Sequence, residues 1–382
     1  MKRYVPLLIL LWQTALKAQS FTDSLTFSFY NNNFFYDKEY GNFIADGYTL
    51  PGHILVPRIH YPLTEHWTLS GGVYAVKFWG NAGKFQTKPL FSLSYRNRRH
   101  SWRFGNLTTW EGRPYLWRPL YDEEFRLRPG RLETGAEYHY HTALFSGGFI
   151  LDWHRFIRRR DTLRERLNFT GFIRTVLFKT HKWQGRFPAQ VYIHHRGGQI
   201  NLKGKYLRGK NDILSVLSAG AGPEILYHLD TRSDVVFFAY AMMHTMNSNN
   251  PEELGFRNGK ALFTGISWYS TQWSVSFSFW YADRFNAPSG EDIFQTVSRR
   301  VDKYYTSGGE PIPIFSRHRE PVRQLWINSV RYKKNISKRF SFYAKAECFY
   351  QPYRSAIPQY PFLRDVVNHI DLLVDVEWIY RF

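Results

Sequence analysis

Asp122-Glu123-Glu124 form a carboxylate run inside a connection of about twenty residues, GRPYLWRPLYDEEFRLRPGR (112–131). Arg58, Arg96, Arg103, Arg174 and Arg196 fall on the polar parity of strand-like runs elsewhere in the chain. Carboxylates facing a wall of guanidinium groups across a narrow wet gap create a transverse field that sorts solutes by charge and dipole. The blander reading is a loop tied by its own ion pairs, such as Glu123 with Arg126. Asp152 and His154 also share a parity. That spacing allows a protease-like dyad, but a hydrogen-bonded pair lining a polar interior is the favoured reading. The single cysteine, Cys348, excludes a disulfide framework and a cysteine metal cluster. It shares a parity with Phe340, Phe342, Ala344 and Ala346, where it acts as a small hydrophobe. No glycine-rich phosphate loop and no His/Asp grouping with metal spacing is seen, so no cofactor and no metal are expected.

The elements that must position these residues are strands. Apolar and polar residues alternate in sixteen runs, near 24–31, 48–62, 66–79, 87–98, 100–111, 132–142, 144–156, 166–179, 186–196, 211–225, 233–246, 259–269, 272–286, 322–336, 338–350 and 366–382. Trp273, Val275, Phe277, Phe279 and Tyr281 oppose Ser274, Ser276, Ser278 and Ala282; Phe145, Phe149, Leu151 and Trp153 oppose Ser146, Gly148, Asp152 and His154. Connections after even-numbered runs are short and those after odd-numbered runs mostly long. Aromatic residues make up 19% of the chain, well beyond the needs of a soluble core. No composition shift divides the 382 residues, so one large closed sheet is preferred to a soluble β-sandwich or β-helix. Fourteen or eighteen strands are the alternative counts.

The last fourteen residues, HIDLLVDVEWIYRF, show the alternation most clearly. Ile370, Leu372, Val374, Val376, Trp378, Tyr380 and Phe382 lie on one face; Asp371, Asp375 and Glu377 lie on the other. Ending in Tyr380-Arg381-Phe382, this stretch resembles the C-terminal recognition strand of Gram-negative outer-membrane β-barrel proteins, although Glu377 stands where that class usually carries glycine. The resemblance implies recognition of Trp378, Tyr380 and Phe382 by the barrel-assembly machinery. It also implies an all-β, antiparallel up-and-down transmembrane barrel with short periplasmic turns and long extracellular loops, in contact with outer-membrane lipid and lipopolysaccharide. Residues 1–18 read as a secretory signal, with Lys2 and Arg3 before an apolar run from Val5 to Leu16, leaving 19–382 as the barrel. That run is shorter than the roughly 20 residues a spanning helix needs.

The layout further resembles that of sixteen-strand porins, whose third long loop folds inward and sets a constriction. By that resemblance 112–131 is the constriction loop, and Asp122, Glu123 and Glu124 face the arginines. Asp152, His154, Lys345, Asp375 and Glu377 join the lumen lining, with Lys345 paired opposite Asp375. Outer-membrane phospholipases carry His-x-Ser on a strand, and none of the fourteen histidines here has serine two residues later. Much of the formal charge of +20 lies in the long connections and their rims, as in Arg158-Arg159-Arg160 and His194-His195-Arg196, which suits anion attraction at a pore mouth. Export from the cytoplasm argues against nucleic acid. The expectation is therefore a channel, not an enzyme, passing small anionic or sugar-like solutes. The runner-up is an occluded barrel whose basic loops bind a partner protein or surface glycan. The oligomeric state is not legible.

Overall fold

The alternation is realised as one closed antiparallel sheet in the computed structural model. It describes all residues except 1–24, 41–43, 46, 81–82, 84, 108–112, 123–131, 158–163, 199–212, 249–254, 299–302, 306–310, 314–318, 353–368 and 382. The strands are β1 (Thr26–Glu39), β2 (Tyr48–Pro62), β3 (Trp67–Phe78), β4 (Gln86–Arg96), β5 (His100–Asn106), β6 (Thr134–His141), β7 (Phe145–Arg155), β8 (Glu165–Lys179), β9 (Trp183–Gly197), β10 (Leu214–Ala221), β11 (Glu224–His228), β12 (Asp234–Ser248), β13 (Asn258–Tyr269) and β14 (Trp273–Asp283). After a small hairpin of β15 (Lys303–Tyr305) and β16 (Pro311–Pro313) come β17 (Val322–Asn335), β18 (Phe340–Gln351) and β19 (His369–Arg381). β10 and β11 both pair with β9 and β12, so they are two halves of one stave broken at Gly222-Pro223. The barrel therefore has sixteen staves. It closes where β19 pairs with β1, from Tyr30 opposite Arg381 to Glu39 opposite Leu372.

Closure leaves no free edge, which a bilayer demands because lipid cannot satisfy unpaired backbone groups. The outer face is apolar: Phe91, Val73, Ile173, Leu177, Phe237 and Phe277 are all exposed. Aromatic pairs decorate the short-turn end: Trp67 with Tyr95, Trp102 with Tyr138, Trp183 with Tyr227, and Trp273 with Tyr332, at 4.3–5.0 Å between ring centroids. A girdle of this kind marks a membrane interface. The chain is an outer-membrane β-barrel protein of porin-like architecture.

Two expected runs end five residues or more away from the observed strands. The first is longer than 24–31, reaching Glu39, because Asn32, Phe34, Tyr36 and Lys38 keep an inward-facing alternation that buries them. The fifth ends at Asn106, not at 111. Gly105 takes φ +92° there, and a Cβ on it would come within 2.4 Å of Phe91 O. Asn106 then donates its side-chain amide to Glu133 O at 3.2 Å and ties off the start of the following loop.

That loop folds into the barrel. Trp117 stacks on Tyr240 of β12 at 4.1 Å, and its N–H donates to Gln190 Oε1 of β9 at 3.1 Å. Arg118 makes paired hydrogen bonds to Glu291 (both 2.7 Å) and to Glu347 of β18 (2.7 and 2.8 Å). Burial opposes the Arg118 charge, but the two carboxylates more than offset this and hold the guanidinium protonated. Glu291 belongs to the connection between β14 and β17, which also enters the lumen. Together the two loops bring Trp117, Leu120, Phe285, Ile293 and Phe294 against Trp280, Leu325 and Phe349 of the wall in one buried cluster. Among the described residues, the lumen is crossed by packed side chains at this level.

The two faces of one strand should respond oppositely to charge. Phe277→Arg, on the lipid face, is expected to destabilise the folded barrel by about 2–4 kcal/mol if at mid-depth, whereas Ser276→Arg, on the lumen face, should cost far less. Urea titration of the protein folded into vesicles measures both.

Candidate functional site

Within β8, β9 and β10 the lipid-facing parity is largely apolar until the upper end, on the long-loop side. There it carries Glu165, His195 and Ser215. Register puts Ser215 opposite His195, Leu167 opposite His195 and Glu165 opposite Gly197. The Ser215 hydroxyl and His195 Nδ1 are 2.8 Å apart, within a hydrogen bond. The ring lies along its own strand over Gly197, where a Cβ would come within 2.2 Å of Nε2. Glycine is thus required for this ring position, and Nε2 is turned toward the rung where Glu165 stands. Exposed Ile193, Ile213 and Leu217 surround the pair, while Glu165, His195 and Ser215 are half-buried. A hydroxyl bonded to an imidazole, with a glutamate one rung further along the neighbouring strand, offers the residue types of a nucleophile–base–orienter set. The set lies on the outward face of the barrel at its long-loop end.

Two other histidine networks have less reach. Ser28 Oγ, His60 and Ser70 Oγ form a chain at 2.7 and 2.8 Å, but on the lumen face at the short-turn end. Asp152 accepts from Thr134 N at 3.0 Å and from Asn168 Nδ2 at 3.4 Å, and Asn168 Oδ1 meets His194 Nδ1 at 2.8 Å. The imidazole at the end of that lumen chain is His194; His154 is half-buried two residues on from Asp152.

The remaining residues singled out in the sequence are placed as follows. Arg58 donates to Asn106 Oδ1 at 2.9 Å. Arg103 bonds Leu107 O at 3.4 Å and lies 3.6 Å from Glu137. Arg174 lies 3.7 Å from Glu224. Arg196 is buried, and Arg96 is exposed at the short-turn rim. Lys345 stands opposite Asp375 in the β18–β19 ladder, the register expected, and its ammonium group is 2.7 Å from Glu347. Glu377 faces Tyr343 across the same ladder, with Trp378 opposite Phe342 and Tyr380 opposite Phe340. Phe382, Glu123 and Glu124 lie outside the described residues. Asp122 is held through its N–H by Ser289 O at 2.6 Å. The constriction loop reverses the expected polarity in its described part: Arg118 supplies the cation and Glu347 on the wall the carboxylate.

Sequence reasoning searched for His-x-Ser along one strand and passed over a pair formed across two. The available signal was polarity on the wrong parity, since His195 follows Ile193 and Ser215 precedes Leu217.

A family model described as "Lipid A 3'-O-deacylase-type" matches residues 16–372. The chain belongs to this family. That membership in an enzyme family overturns the expectation that the barrel is not an enzyme. The error came from requiring catalytic residues to be close in sequence. A search of curated proteins gives no match. Among solved structures, OccAB2 of Acinetobacter baumannii is 9% identical with a TM-score of 0.49, over 95% of this chain and 99% of that one. OprD of Pseudomonas aeruginosa is 9% identical at 0.48, covering 94% of each chain. An anion-selective porin from Comamonas acidovorans is 12% identical at 0.47, over 94% of this chain and 99% of that one.

If Gly197 makes room for the imidazole, Gly197→Ala should push His195 off Ser215 without unfolding the barrel. Labelling of Ser215 by a fluorophosphonate, which needs an activated hydroxyl, should then fall about tenfold or more, the lower end of general-base assistance being ~10²-fold. Heat-modifiable migration on gels reports the intact barrel.

Proposed function

We propose that this barrel is an outer-membrane ester hydrolase that removes an acyl chain from lipid A. Ser215 is the nucleophile, His195 the general base and Glu165 the group that orients the imidazole. The observation that carries the reading is the Ser215–His195 hydrogen bond on the lipid face beside the long loops, where an acyl ester of an outer-leaflet lipid would sit. Family membership supports the same chemistry.

The steps follow from the geometry. With its proton on Nε2, His195 offers Nδ1 as acceptor to the Ser215 hydroxyl. Serine Oγ adds to the ester carbonyl carbon as Nδ1 takes the proton. Collapse of the adduct breaks the bond to the sugar oxygen, which leaves with the proton returned by the imidazole. Water, deprotonated by the same nitrogen, then cleaves the acyl-serine, releasing the fatty acid and restoring Ser215. Ile193, Ile213 and Leu217 provide an apolar surface for the acyl chain.

Mass spectrometry of lipid A from cells expressing the protein tests this. The wild type should yield a species lighter by one acyl group. Ser215→Ala should reduce it by about 10³-fold or more, and Glu165→Gln by less, since removing the orienting acid usually costs less than removing the nucleophile. Unchanged deacylation in Ser215→Ala would refute the assignment.

The second reading is solute passage. Arg103, Arg174 and Arg196 on the lumen wall favour it, and the Arg118 clamp weighs against it. In planar bilayers the wild type should show no steady conductance. Arg118→Ala leaves Glu291 and Glu347 without their shared cation, a loss of about 3–5 kcal/mol for a buried pair, and should produce frequent openings. A steadily conducting, anion-selective wild type would favour passage.

A further inference from the structure

We infer that the lumen face of the same rim binds the phosphate of a phosphorylated lipid headgroup, through Arg155, Arg166 and Arg196. This rests on the ester-hydrolase reading, since it names what holds the substrate whose acyl ester meets Ser215. The β-bulge between Asp152 and Arg155 brings Arg155 opposite Arg166, and Arg166 is opposite Arg196. Three arginine positions thus stand abreast on three neighbouring strands spaced about 4.8 Å apart. Like charges directly opposite one another in a sheet are destabilising, and nothing in the alternation of the strands requires arginine at all three positions. A tetrahedral dianion is the ligand such a fork-bearing row fits, because guanidinium groups bind phosphate bidentately. Arg166 and Arg196 have other contacts at the rim, and Arg196 is largely buried, so the row is held in place and not trailing in solvent.

Position links the row to the ester site. His195 and Arg196 are consecutive and point to opposite faces of β9, one residue short of the end of that strand at Gly197. Their Cα atoms are therefore about 3.8 Å apart. A headgroup lying over the end of β9 can present its phosphate to the row inside while its acyl ester reaches Ser215 outside. The connections on either side are rich in cations by sequence, with Arg158-Arg159-Arg160 before β8 and Lys203, Lys205, Arg208 and Lys210 after β9.

The test separates binding from turnover. Purified full-length Ser215→Ala protein in detergent is titrated calorimetrically with diphosphoryl, monophosphoryl and dephosphorylated lipid A, and with inorganic phosphate alone. The expected result is a preference of about tenfold or more for a phosphorylated form over the dephosphorylated one, the size expected for one charge-assisted hydrogen bond. Adding Arg166→Gln or Arg196→Gln should abolish that preference, Arg166→Lys should retain part of it, and Lys333→Gln near the opposite rim should leave it intact. Equal affinity for all three lipids overturns the inference, whether or not the wild type deacylates. Saturation by inorganic phosphate as tight as that by the lipid would also overturn it, because the row would then be a free-phosphate site. Retained lipid preference in a protein that never releases fatty acid would leave this inference standing and remove the hydrolase reading.

Discussion

Everything in this protein follows from the requirement that each backbone N–H and C=O in the bilayer find a partner within the chain. The pairing of β19 with β1 meets that requirement by removing the last edge. Closure then gives each strand residue one of two environments, lipid or lumen. On the lipid side, Phe91, Phe237 and Phe277 are exposed because no aqueous phase meets them there. On the lumen side, the chain supplies its own filling through the two inward loops joined at Arg118, Glu291 and Glu347.

The same constraint makes polarity informative. A serine, a histidine and a glutamate on the lipid face would be costly at mid-depth, but they stand within the last rungs of β8, β9 and β10 on the long-loop side. Their grouping across three strands is what the register brings about, and Gly197 removes the side chain that would displace the imidazole. Because β9 ends two residues beyond His195, the lipid-facing His195 of the Ser215–His195 pair and the lumen-facing Arg196 stand back to back on the last rungs of one strand.

The fold was largely legible in the sequence because the two-residue period and the connection lengths are local properties. The closing strand, the sixteen staves and the Lys345–Asp375 register could all be read by counting. The first strand runs past the expected 24–31 because Phe34 and Tyr36 stack inside the barrel at 4.9 Å. The site was less legible. Ser215 and His195 are separated by a long connection, and only the register of β9 with β10 shows that they meet. Likewise the partner of Arg118 is Glu347, over two hundred residues away, which no local pattern links to it.

The central claim is that Ser215 forms a covalent acyl intermediate. Incubation of the purified barrel with lipid A, rapid acid quenching and peptide mass spectrometry tests it directly. The account predicts a hydroxyacyl or acyl adduct on the peptide containing Ser215, strongly reduced in His195→Ala. Turnover of lipid A with no adduct on Ser215, or with an adduct on a different residue, would contradict it.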